Sequence, residues 1–150
     1  MTIKICAEAF DPYLEIQAYQ NKNPGIGGAI GATSIFIGTM RDFNEGDAVK
    51  AMTLEYYPGM TEKQLTKIIA EAQQQWPVID TLVVHRVGDI LPGQPIVLVA
   101  VWTSHRGDAF DACRYIMDEL KSKAPFWKKE LLTTEDERWV MENTDGYKQS

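Results

Sequence analysis

The sequence predicts a single α+β domain in which a mixed or antiparallel sheet carries packed helices. Three observations lead there. Short β-rich runs recur along the chain, at 3–9, 32–40, 49–57, 81–87, 95–103 and 126–132. Between them lie amphipathic stretches with helical spacing, two of which are halted by a proline. The length of 150 residues, 45% hydrophobic and 24% charged, suits one globule large enough to bury a core. No repeat or low-complexity segment interrupts it.

In chain order, Ile3 to Ala9 alternates apolar and polar residues and reads as a strand. Asp11 and Pro12 supply the cap and first turn of a short helix reaching about Tyr19. Residues 21–31 read as a flexible loop leading into the next strand. Their glycines fail the G-x-G-x-x-G spacing because Ile30 holds the third position, and a strand follows rather than a helix. Ala32 to Met40 is a candidate central strand, and the Asn, Asp and Gly of Arg41 to Asp47 are turn residues. Arg41 stands where strand becomes loop, a place from which scaffolds project functional groups. An exposed arginine paired to Asp42 or Glu45 explains it equally well.

Val49 to Tyr57 resumes a strand that Pro58-Gly59 ends. From about Thr61 a packing helix presents Leu65, Ile68, Ile69, Ala72 and Trp76 on one face, with Thr61 and Glu62 toward solvent, and Pro77 stops it. Two strands follow, Thr81 to Val87 and Pro95 to Thr103, either antiparallel or joined by a wide loop through Pro92-Gly93. His85, within an apolar run, reads as a core histidine rather than a ligand. Ser104 is the expected N-cap of a helix to about Lys123, with Phe110, Cys113, Ile116, Met117 and Leu120 as its buried stripe. After Pro125 come a short strand to Leu132, a charged turn at Thr133 to Glu137, and Arg138-Trp139-Val140. The polar tail from 142 to 150 is expected to fray.

Composition excludes several functions. No apolar run approaches the roughly 20 residues of a membrane span, and MTIKICAEAF lacks the apolar core of a secretory signal. Cys6 and Cys113 have neither CxxC nor Cys/His spacing, so no disulfide framework or zinc site is expected, and the cytoplasm is the expected compartment. A net charge of -6 argues against a general nucleic-acid binder.

Against that acidic background, KSKAPFWKKE (121–130) places four lysines within nine positions and no acid among them. Pro125 breaks the helix between them, and Phe126 and Trp127 anchor what emerges. Lys121 and Lys128 are thereby held on either side of a stiff turn, able to present two ammonium groups to one anion. A solvated helix end, where lysines favour the negative end of the dipole, accounts for the charges as well. His105 and Arg106 fall at the opposite, positive end of the same helix, beside backbone N–H groups suited to an anion. A pairing of Arg106 with Asp108 or with Glu119 of a neighbour explains it equally well. From Arg106 to Lys121 is 15 steps, about 22 Å. One small ligand cannot touch both ends unless a second copy of the chain, related by a two-fold axis, supplies one of them.

The strings GATSIFIGTMRDFNEGD, TLEYYPGMTEK, WPVIDTLVVHRVGDILPG, VLVAVWTSHRGDAF and MDELKSKAPFWKKE together resemble the large, catalytic subunit of molybdopterin synthase, the MoaE family. The resemblance covers about residues 28 to 140, leaving 1–27 as a variable N-terminal part. It implies an α+β fold of the α/β-hammerhead type and a homodimer within a heterotetramer. Each copy would bind a small ubiquitin-like sulfur-carrier subunit whose C-terminal Gly-Gly, activated as a thiocarboxylate, threads into a pocket. Sulfur would pass there to cyclic pyranopterin monophosphate, forming the dithiolene of molybdopterin. By this resemblance Lys121 and Lys128 match the catalytic lysines. Arg41, His105 and Arg106 match cationic substrate-binding positions, and Phe36 and Met117 match apolar pocket positions. No metal, cofactor, nucleic acid or membrane is implied.

The chemistry suits these residue types. Arginine's planar fork fits phosphate oxygens. A lysine with its pKa lowered by burial and cationic neighbours can orient a thiocarboxylate or carry a proton, a division of labour left open between Lys121 and Lys128. Met40 and Tyr56 depart from the family pattern at positions read as peripheral. Asn143 stands nearest to where some members carry an arginine that reaches the mate's pocket. Two other readings compete: a non-catalytic module that docks the tail of a ubiquitin-like protein, and a phosphate-dependent regulator or nucleic-acid binder.

Overall fold

The near-continuous apolar runs of the chain become the middle of a sheet covered on both faces. The computed structural model describes residues 1–140, apart from the exposure of residues 25 and 26. β5 (Val78–Arg86) and β7 (Pro95–Thr103) form an antiparallel pair, in register from Val78↔Thr103 to His85↔Val97. β1 (Thr2–Cys6) lies parallel to β5 on one side, and β2 (Ala32–Thr39) lies antiparallel to β7 on the other, giving the order β1-β5-β7-β2. This sheet is therefore mixed, with β2 as an outer strand.

Because side chains alternate along a strand, β7 sends Val97, Val99 and Val101 to one face and Leu98, Ala100 and Trp102 to the other. The first face is covered by α2 (Met60–Gln75) and α3 (Arg106–Lys123), whose Leu65, Ile68, Ile69, Ala112, Ile116 and Leu120 are buried against it. Each fully buried Leu or Ile there contributes about 1.5–3 kcal/mol of transfer free energy. The second face is covered by α1 (Pro12–Lys22), through Ile16 and the half-buried Tyr19, which stacks on Trp102 with centroids 5.4 Å apart.

A second, antiparallel sheet is built on β4 (Asp47–Tyr56). It pairs with β3 (Phe43–Asn44), β6 (Gly88–Ile90) and β8 (Phe126–Leu132), and β8 pairs on with β9 (Glu137–Val140). Its own core is Met40, Val49, Met52, Leu54 and Ile90. The α+β class is thus realised as two sheets, one mixed and one antiparallel, with three helices on the first.

Several local expectations are corrected. β1 ends at Cys6, where the chain leaves the edge of β5. Asp11 does cap α1, its carboxylate accepting from the N–H groups of Tyr13 and Leu14, but the helix runs on to Lys22. The glycine-rich stretch forms a 3-10 helix at Pro24–Ala29. Gly31 then has a reason to be glycine, since a Cβ there would lie 2.1 Å from the Ser104 carbonyl oxygen. Thr61 is buried rather than solvated: its hydroxyl accepts from Tyr57 N–H at 3.1 Å and donates to the Pro125 carbonyl at 3.0 Å. Glu45 and Gly46 take positive φ in the β3–β4 turn, as turn chemistry required. The Gly88 to Gln94 turn contains β6, too short to leave a periodic signal. Met40 is not peripheral but 5% exposed in the core of the second sheet. No helix among the described residues is long and apolar enough to cross a membrane. The tail at 141–150, with Asn143, lies outside the described residues.

Candidate active site

The elbow between α3 and β8 organises the site. α3 ends at Lys123, and Ala124 turns extended, as a residue before proline must. The Ala124 N–H still closes the helix onto the Leu120 carbonyl at 3.1 Å, and Phe126 N–H donates to the Ala124 carbonyl at 2.9 Å. Strand alternation then puts Phe126, Lys128 and Glu130 on one face of β8. On α3, Phe110, Arg114, Met117 and Lys121 share one stripe at helical spacing. Stripe and strand face converge on a cleft of about 1350 Å³, whose far wall is β2.

Lys121, Lys128, Arg41, Phe36 and Met117, the positions matched by the family resemblance, all line this cleft. Arg41 lies 5.1 Å above the Phe43 ring, while Glu45, its candidate partner, faces Arg138 at 3.6 Å. Phe36 is 41% exposed and Met117 only 7%. Burial, then the charge of Lys128 within hydrogen-bonding reach, then the charge of Arg41, lower the pKa of Lys121 to about 7. A lysine in that state exchanges its proton at neutral pH.

The carboxylates around the cleft are directed at other cations. Asp118 faces Arg114 at 3.5 Å and Glu119 faces Lys123 at 2.5 Å. Glu130, 5% exposed, accepts from Arg138 Nε at 3.0 Å and from Asn44 Nδ2 at 3.1 and 3.2 Å. Arg138 also donates to Asp47 at 2.7 Å and to the Asn44 carbonyl at 2.8 Å, binding β9 to the β3–β4 hairpin. Among the described residues, these acids face other cations, and Lys121 and Lys128 line the cleft beside them.

His105 and Arg106 do not join this group within one chain. Both are exposed at the start of α3, and neither lines the cleft. His105, not Ser104, is the N-cap, and no side chain caps the helix; Ser104 Oγ donates instead to the Ala29 carbonyl at 3.0 Å. Phe110, expected in the buried stripe, is 66% exposed, because the cleft leaves its side of α3 uncovered; Ala109 and Ala112 are buried in its stead.

Sequence reading passed over Glu130, Phe43 and Arg138. The available signal for Glu130 was the strand period, which sets it two residues from Lys128 on the same face. Nothing local marks Arg138, whose partners are 8 residues away (Glu130) and 91 away (Asp47). Cys113 borders the cleft, but burial pushes its thiol up and its Sγ donates to the Val99 carbonyl at 3.8 Å. It is a packing residue, not a thiolate. Among the described residues no group of three or more His, Cys, Asp or Glu is placed to hold a metal ion.

Comparison with known proteins identifies the family and matches the fold. The family described as MoaE protein matches residues 7–123. A molybdopterin synthase catalytic subunit from Pseudomonas aeruginosa is 51% identical over 140 residues, covering 93% of this chain and 90% of that protein. One from Ralstonia nicotianae is 53% identical, covering 93% and 76%. The crystal structure of molybdopterin synthase from Staphylococcus aureus superposes with a TM-score of 0.80 at 31% identity, covering 91% of this chain and 95% of that one. The chain belongs to the MoaE family of molybdopterin synthase catalytic subunits, sulfurtransferases of molybdenum cofactor biosynthesis.

Proposed function

We propose that the chain receives the C-terminal thiocarboxylate of a small ubiquitin-like subunit in the Lys121–Lys128 cleft and passes its sulfur to cyclic pyranopterin monophosphate. The observation that carries this reading is the convergence of Lys121, Lys128 and Arg41 on one cleft walled by Phe36 and Met117. Both reactants are anions, and a cleft whose acids are already paired suits them. Lys128 supplies the ammonium that orients the thiocarboxylate. Lys121, near pH 7 in its titration, carries the proton. Arg41 holds the phosphate and offsets charge as the ring ester opens. A Gly-Gly tail fits a narrow approach because backbone without Cβ can come close to the walls.

His105 and Arg106 reach the substrate from a second copy of the chain. Arg106 continues the stripe of Phe110, Arg114, Met117 and Lys121, so two α3 helices set antiparallel across a two-fold axis bring Arg106 of each to Lys121 of the other. The outer strand β2 and the exposed Ile35 (44%), Phe36 and Phe110 offer an apolar rim for that contact. This homodimer with one small subunit on each copy is a heterotetramer. We place the reaction in the cytoplasm, where the free thiols of Cys6 and Cys113 stay reduced.

The test mixes purified chain, thiocarboxylated small subunit and cyclic pyranopterin monophosphate, and measures dithiolene. Lys121→Ala is expected to lower its formation ~10²–10⁴-fold at saturating partner. No product with the wild-type chain, or undiminished product with Lys121→Ala once corrected for partner occupancy, overturns the reading and leaves a docking module.

A further inference from the structure

His85 is the buried titratable group that lies under this site and has no part in the chemistry above. It is 5% exposed on β5, between Ile5 of β1 and Val97 of β7 in the sheet register. Its Nδ1 is 2.8 Å from the Arg86 carbonyl oxygen. A carbonyl can only accept, so Nδ1 carries the proton and Nε2 is the bare nitrogen. The imidazole lies flat on the Phe126 ring, with centroids 3.8 Å apart and an interplanar angle of 11°.

Phe126 is the first residue of β8, one step past Pro125 and two before Lys128 on the same face. The ring it stacks on therefore governs where β8 begins. On its helix side, the elbow is fixed by the Thr61 hydroxyl donating to the Pro125 carbonyl at 3.0 Å. α2 and β5 thus each grip the elbow through one side chain, and the elbow carries Lys121 before it and Lys128 after it.

We propose that His85 is a positioning residue of the sulfur-transfer site: its neutral ring, stacked on Phe126, fixes the Pro125 elbow so that Lys121 and Lys128 are held against one another. The inference rests on the proposed roles of the two lysines and goes beyond them in naming what forces two cations together. Neutrality is essential. A charged imidazole would add a third cation beneath the pair, and burial, followed by the charges of Lys121 and Lys128, keeps the imidazole's pKa at about 3 despite its bond to the Arg86 carbonyl.

Among the described residues, the other charged groups around these side chains are directed as follows. Arg86, next in sequence, turns the opposite way to the Ala7 and Asp89 carbonyls and the Gln94 side chain. Cys6 of β1 reaches His85 through its backbone, the Sγ donating to that carbonyl at 3.8 Å. Around Lys121 stand Lys128 on β8 and Arg41 after β2, while Asp118 and Glu119 on its own helix face Arg114 and Lys123. Glu130 on β8 faces Arg138.

The test is a direct titration of Lys121, followed by the ¹³Cε shift of labelled lysine in the purified chain and assigned with Lys121→Arg. It needs neither partner nor substrate, so its outcome is separate from whether sulfur transfer proceeds as proposed. Removing the stack in His85→Ala lets the elbow relax, water enter and the ammonium groups part. The Lys121 midpoint is then expected to rise by about one pH unit or more toward ordinary lysine. His85→Phe keeps the stacked ring and should stay within ~0.3 units of wild type. Phe126→Leu removes the stack from the other side, should reproduce the His85→Ala shift, and decides the matter if His85→Ala does not fold. An unmoved midpoint in both stack-removing variants overturns the proposal. So does an equal rise in His85→Phe, which would assign the effect to the Arg86 hydrogen bond. In the transfer assay, His85→Ala should lose activity near pH 7 and regain it near pH 9. A loss equal at all pH values means that His85 is merely structural.

Discussion

The two ends of α3 differ in how much of their chemistry one chain completes. At the C-terminal end, Lys121 meets Lys128 and Arg41 within its own cleft, and burial with these neighbours lowers its pKa to about 7. At the N-terminal end, His105 and Arg106 are exposed, have no side-chain cap and do not line the lysine cleft. The first end is pre-organised by folding alone, since α2, β5 and β8 all press on its elbow. The second has its geometry set by the helix but no wall to work against. Folding can dehydrate and perturb the first group of cations. In the proposed homodimer, assembly does so for the second.

The sharpest way to break this contrast is to divide the two ends between subunits. Lys121→Ala and Arg106→Ala chains are each expected to be strongly impaired alone. Unfolded together and refolded, half of the dimers are mixed, and each mixed dimer has one site with both native residues. Dithiolene formation should return to about a quarter of the wild-type rate. Recovery no greater than the sum of the parents would mean that both ends serve sites within one chain.

Arg138→Ala tests what keeps the C-terminal cleft cationic. It strands the buried Glu130 carboxylate with Asn44 alone and should cost about 2–4 kcal/mol in urea unfolding. A change under about 0.5 kcal/mol would show that the network is solvated and weak.

A smaller effect concerns the strain that folding stores at Lys121. Its pKa falls from the ordinary 10.5 to about 7 on folding, so the unfolded chain binds more protons between those values. Stability from this group therefore rises with pH across that window, and the penalty is full below about pH 7. Lys121→Met should raise Tm by ~2–4 °C at pH 6.5, and the gain should shrink toward pH 10. A gain that does not change with pH would assign it to packing. The corresponding exposed residue, Arg106, should show no such gain when changed to Met. The smallest effect is expected for Cys113→Ala. It should cost about 1 kcal/mol of stability for lost packing and change sulfur transfer less than ~2-fold, because the thiol raised by burial is no sulfur carrier. A large loss of transfer would make it one.

Much of this is legible in the sequence. Leu65, Ile68, Ile69 and Ala72 mark α2 by their spacing, and the alternating faces of β7 lie within PIVLVAVWT. His85 reads correctly as a core histidine. The errors have a common cause. Phe110 and Thr61 have the residue types of a buried and an exposed position, but which side of each helix is covered depends on a neighbour far along the chain. At Met40 the sequence offers only a departure from the family pattern, and its burial depends on β4 and β6.

The types and spacings of Lys121, Pro125 and Lys128 are enough, by sequence alone, to specify a helix end, a stiff turn and a strand bearing two cations, because proline and strand alternation act locally. That these cations face one cleft with Arg41, that Glu130 turns to Arg138, and that His85 lies beneath Phe126 are decided only in three dimensions. Electrostatic strength depends on separation and dehydration, and both are set by segments that meet only when the chain is folded.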